Sequence, residues 1–150
     1  MRQAGRTALR AALVLAIAGC GDAAPVSPNV APADLSGTWE LEASLATGDG
    51  ARPCTTDGTA TIAQSGTRIE GATSSTITCR LPEGTVNLTG LGSIDGGVSA
   101  GSVSFSDAEC EYHGAVRSAQ AMGGAATCSI YVGGALRAYT GPWEAHRIAD

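Results

Sequence analysis

From Trp39 onward, apolar and small side chains recur at every second position in short runs, and glycine-containing turn sequences break the runs apart. That period belongs to strands with one buried face; an amphipathic helix would need apolar residues three and four positions apart. Trp39, Leu41, Ala43 and Leu45 share one face of a first run, and Ala60 and Ile62 share a face of a second. Ile69 and Gly71, Ile77 and Cys79, Val86 and Leu88, and Val103 and Phe105 continue the pattern. Cys110, Tyr112, Gly114 and Val116 follow, then Met122, Gly124, Ala126 and Cys128, and finally Trp143 and Ala145. The spacing predicts an all-β domain, an antiparallel up-and-down barrel of about eight strands, with a β-sandwich as the alternative.

Turn chemistry places some of the connections. Ser65-Gly66-Thr67 separates two runs, and Asp95-Gly96-Gly97 carries the Asp-Gly signal of a tight hairpin. Ser118-Ala119-Gln120 is a third expected turn, while Gly123-Gly124 and Gly133-Gly134 read as turn or bulge glycines.

The turns bear on the cysteines. Setting Cys20 aside, Cys54, Cys79, Cys110 and Cys128 allow three pairings. Opposed residues in a hairpin have a constant sum of positions. A hairpin centred on Ala119 puts Cys110 opposite Cys128, and a two-residue loop at Gly66-Thr67 puts Cys54 opposite Cys79. The expected bonds are therefore Cys54–Cys79 and Cys110–Cys128. No Cys-x-x-Cys or neighbouring histidine pair gives a metal-ligand spacing, so no metal and no cofactor is expected.

The amino-terminal segment reads as a secretory signal over residues 1–19. Arg2, Arg6 and Arg10 precede a wholly apolar stretch at 11–18, which is too short to span a bilayer as a helix. Ile17-Ala18-Gly19-Cys20 resembles the bacterial lipobox. That resemblance implies cleavage before Cys20 and lipid on its thiol, which also resolves the odd count of five cysteines. Residues 20–35 then form a lipidated cysteine and a linker with Pro25, Pro28 and Pro32, and residues 36–150 form the barrel domain. The implied location is the cell envelope, anchored to the membrane through lipid, on the periplasmic face of the outer membrane.

After such cleavage six arginines (52, 68, 80, 117, 137 and 147) stand against fourteen acids, with no lysine, a formal charge near −8. This balance excludes a nucleic-acid partner, whose phosphates require cationic contacts.

Leu35-Ser36-Gly37-Thr38-Trp39 opens the domain, and Gly141-Pro142-Trp143-Glu144-Ala145-His146-Arg147 nearly closes it. Together they resemble the calycin pattern of lipocalins and avidins. The segments 62–66 and 69–71 also resemble strands of small bacterial lipocalin-like lipoproteins. The resemblance implies that Gly37 and Trp39 meet Arg147 from the last strand to close one end of the barrel, with cation–π character. These residues would be structural, and they imply no ligand.

Chemistry is sparse. His113 and His146 lie opposite the apolar faces and are expected to be exposed. A Ser–His–Asp site with His113 and Asp107 lacks a nucleophile elbow. Glu109 and Glu111 flank Cys110 and read as a solvated pair. The sequence is therefore read as non-catalytic, an envelope lipoprotein of unknown molecular role that binds a small apolar ligand. In that reading Phe105, Tyr112 and Trp143 are the candidate lining. The alternative is a protein-binding module, such as an envelope-tethered hydrolase inhibitor. It would have a filled barrel and act through a loop at 46–56 or 131–140.

Overall fold

The computed structural model describes residues 33–149; the expected signal segment, Cys20 and most of the linker lie outside them. Eight strands form a closed antiparallel barrel in sequence order, and β8 returns to pair with β1. The strands are β1 (Gly37–Ala46), β2 (Pro53–Ser65), β3 (Arg68–Leu81), β4 (Gly84–Ser99), β5 (Ser102–Ser106), β6 (Cys110–Ser118), β7 (Ala121–Val132) and β8 (Ala135–Ala149). The up-and-down barrel is thus the architecture, and the sandwich is not.

The alternation in sequence becomes the inside and outside of the wall. On β1, Trp39, Leu41, Ala43 and Leu45 are buried while the residues between them, Glu40, Glu42 and Ser44, are exposed. On β4 the inward set is Val86, Leu88, Gly90, Gly92, Ile94, Gly96 and Val98. Ile94 and Val98 join the core there although the glycines between them hide the pattern.

Asp95-Gly96-Gly97, read as a hairpin turn, lies inside β4, and the chain reverses instead at Ala100-Gly101. The reason is steric. A Cβ on Gly96 would lie 2.5 Å from the Cα of Phe105 on β5, so the glycine lets the two strands approach where that ring is packed. Gly123-Gly124, expected in a turn or bulge, likewise lies within β7; Gly133-Gly134 does form the β7–β8 turn, with both φ angles positive. That turn leaves residues 131–140 mostly in strands, so no long loop protrudes there; residues 47–52 form the short β1–β2 loop.

Both expected disulfides are present, Cys54–Cys79 and Cys110–Cys128. Each joins directly opposed residues of adjacent strands, with Cα atoms 4.1 and 4.0 Å apart. Antiparallel partners approach most closely at positions that do not exchange main-chain hydrogen bonds, and this is where a cross-strand bond fits. The hydrogen bond from Ser129 N–H to Glu109 C=O (2.8 Å) fixes that parity for β6 and β7 and leaves Cys110 and Cys128 in the close, unbonded register.

Candidate functional site

The barrel has two unlike ends. At one lie the start of β1, the turns at 66–67, 100–101 and 119–120, and the end of β8. At this closed end Arg147 covers Trp39, its guanidinium carbon 4.8 Å from the ring centroid. Its side chain also donates to the carbonyls of Ala119 (2.9 Å), Ser36 and Asp34 (2.6 Å). The indole N–H of Trp39 donates to the Leu35 carbonyl at 2.9 Å. Gly37, with φ at 132°, takes a backbone conformation that favours glycine just before the buried Trp39. The structure therefore brings Gly37, Trp39 and Arg147 together at one end of the barrel.

Phe105, Tyr112 and Trp143 meet in the middle. Phe105 and Tyr112 stack at 4.6 Å between centroids, and Trp143 meets both edge-on at 5.4 and 5.5 Å. All three are buried. Gly124 lies directly opposite Trp143 on β7, and Gly114 lies beyond it on β6. The Trp143 N–H donates to the His113 carbonyl at 3.2 Å. Here the rings fill one another's space instead of lining an open cup.

The opening lies elsewhere, and unequal strand lengths create it. β4 pairs with β3 from Gly84 to Gly97 but with β5 only from Asp95 to Ser99. Beyond the 107–109 connection no described strand continues β5 or β6 upward. The wall therefore has a window between the first part of β4 and the last part of β7. The β3–β4 tip closes it above, where a Cβ on Gly133 would lie 3.3 Å from the Glu83 carboxylate and 3.6 Å from Leu81. A cavity of about 320 Å³ opens here over inward-facing Ile77, Leu88 and Ile130. Thr89, Gly90, Glu109, Tyr131 and Leu136 form its rim, and Glu109 is the one charged residue lining it.

Asp107 shapes the lower lip. One carboxylate oxygen accepts the N–H groups of Glu109 (3.1 Å) and Cys110 (2.9 Å). The other accepts the hydroxyls of Thr73 (3.3 Å) and Tyr112 (3.4 Å). Burial first, and then the Asp107 charge, push the Tyr112 phenol well above the ordinary tyrosine range. Sequence reading weighed Asp107 only as part of a catalytic triad; in the structure it holds a loop. The Glu109 carboxylate lies beside Gly90, 3.7 Å from where a Cβ on that glycine would be, and Glu111 faces outward; both are exposed. His113 and His146 are exposed on the outer wall.

In comparison with known proteins, no family model matches this chain, and neither does any curated protein or solved structure.

A larger depression of about 520 Å³ runs over the outside of β4, β5 and β6, past Gly97, Ser102, Ser104 and His113. Its strands are paired along that stretch. The window differs in kind, because it joins an apolar floor to main chain that no described strand has taken up. Neither the window nor its lip was legible as a site, because no single residue marks it.

Proposed function

We propose that this chain is a non-catalytic envelope lipoprotein, anchored by lipid on Cys20 at the periplasmic face of the outer membrane, whose calycin-like barrel binds another protein. The observation that carries the protein-binding reading is the filled interior. Trp39, Tyr112, Trp143 and Tyr139 are each no more than 1% exposed, and the three central rings pack on one another. A cup for an apolar molecule needs such rings to line open space. The Trp39–Arg147 contact supports the calycin kinship, and the lipobox-like Ile17-Ala18-Gly19-Cys20 supports the anchor.

The cavity over Ile77, Leu88 and Ile130 favours a second reading, a small apolar ligand held at the window. Native mass spectrometry of the protein purified from its own envelope in mild detergent separates the two. The protein-binding reading expects the mass of the lipidated chain with no further small molecule, together with a defined partner joined by short-range crosslinking. A stoichiometric small molecule on the barrel, with no crosslinked partner, would overturn it.

A further inference from the structure

The window is bounded by a strand whose hydrogen-bonding groups meet no strand there among the described residues. Val98 N–H donates to the Thr67 carbonyl on the β3 side at 2.8 Å, so even-numbered residues of β4 turn their main chain toward β3. Odd-numbered residues turn the other way, which is how Asp95, Gly97 and Ser99 meet Ser106, Ser104 and Ser102 of β5. Further up, Thr85, Asn87, Thr89 and Leu91 aim their N–H and C=O groups in that same direction, and no described strand pairs with them there.

Strand edges in soluble proteins are commonly blunted by lysine, proline or covering segments. The stretch from Gly84 to Ile94 contains neither residue and no charge. Its flanks are apolar and exposed: Leu91 is 82% exposed, and Tyr131 and Leu136 across the window are each 66% exposed. Tyr131 and Leu136 are also cross-strand partners, so they form one patch. An occupant that pairs with the edge would cover this patch with one set of alternate side chains and send the other set over Ile77, Leu88 and Ile130.

We propose that an extended segment of a partner protein docks on the free edge of β4 as an added strand, with alternating apolar side chains and a cationic one toward Glu109. The proposal rests on the protein-binding reading above. Main-chain groups select a strand, the apolar floor and patch select alternation, and charge selects the sign. Glu83 and Glu109 bracket the window, and neither has an ion pair among the described residues. A second copy of this chain would bring the same uncharged edge but also the same surplus of acids, twelve against six arginines over residues 33–149.

The test uses the intact protein in detergent and a synthetic peptide of roughly nine residues, an ordinary strand length. The peptide alternates valine and threonine with a central lysine. It is compared with its glutamate analogue and with an analogue N-methylated at alternate amides. The lysine peptide is expected to bind and to slow hydrogen exchange at Asn87, Thr89 and Leu91. The glutamate and N-methylated forms should bind roughly tenfold more weakly or worse.

Thr89→Pro removes an edge donor that β3 does not use, so the barrel should keep its fold and bind roughly tenfold more weakly or worse. Its unchanged exchange elsewhere confirms the fold. Absence of binding, or equal binding by the N-methylated peptide or by Thr89→Pro, would overturn the proposal. So would protection of these amides in a peptide-free dimer, which assigns the edge to a second copy. An envelope partner that crosslinks equally well to wild type and Thr89→Pro would remove the edge as its site while leaving the protein-binding reading intact.

Discussion

Arg147 lies over the Trp39 indole at 4.8 Å, and from there it reaches three backbone carbonyls in two separate segments. The last strand is thereby tied to the lead-in of the first and to the β6–β7 turn. Arg147→Ala should cost about 2 kcal/mol, since it removes a cation–π contact and charge-assisted hydrogen bonds. Arg147→Lys should recover only part of this, because an ammonium lacks the planar fork. Urea unfolding of the two variants measures both. A lysine variant as stable as the wild type would mean that the fork plays no part.

Non-reducing peptide mapping should join Cys54 to Cys79 and Cys110 to Cys128. The bonds close segments with sequence separations of 25 and 18 residues. Each should contribute about 2–4 kcal/mol, read as the loss of urea stability when one pair is replaced by alanine. Recovery of a Cys54–Cys110 peptide would contradict the strand register itself.

Gly124 should tolerate no side chain. A Cβ there would lie 2.1 Å from the His113 carbonyl oxygen and 2.5 Å from the Gly114 Cα. Gly124→Val is expected to cost roughly 3 kcal/mol or prevent folding. Gly48→Ala is the control, because nothing among the described residues lies within 4 Å of its Cβ position. Similar stability of the two variants in thermal melts would refute the close approach.

Burial and the Asp107 carboxylate raise the Tyr112 phenol above its ordinary value, so the folded chain holds that proton more tightly than the unfolded chain does. The associated stability is fully present below about pH 10, the unfolded tyrosine value, and is lost as pH rises beyond it. Absorbance titration should show the Tyr112 phenol ionising only as the barrel unfolds in alkali. Tyr112→Phe should delete that late step. An unaltered titration curve in the variant would assign the step to another residue.

The Tyr139 hydroxyl is buried and has no hydrogen-bond partner among the described residues. An unpaired buried hydroxyl costs about 1–3 kcal/mol. Tyr139→Phe should therefore leave the domain as stable or more stable in a calorimetric scan. A clear drop in melting temperature would show that the hydroxyl has a use in the folded chain.

Much of this fold was legible because it follows from local spacing. The alternation of Trp39, Leu41, Ala43 and Leu45 sets the faces of β1, and tight turns near Gly66 and Ala119 set the registers that pair the cysteines. The reading failed where glycine had two uses. Gly96 and Gly97 look like a turn, yet they serve close packing within a strand, and the real reversal begins at Ala100, with φ at 49°. Ala100 carries no turn signal of its own.

The window was hidden for a different reason. It arises from a mismatch between a β4 of 16 residues and a β5 of 5, and neither strand announces the other's length. The three central rings were correctly placed inside, but sequence alternation cannot distinguish rings that line a space from rings that fill it.

Because β8 lies beside β1, with Thr38 facing Ala149, the described chain enters and leaves the barrel at the same pole. The β3–β4 tip and the window occupy the opposite pole. Joining the ends and cutting within residues 47–52 would yield a circular permutant that keeps all eight strand pairings. The ring of strands has no intrinsic beginning. Which pole carries the ends is set by the pairing of β8 with β1, and the edge of β4 that no described strand covers lies toward the other pole.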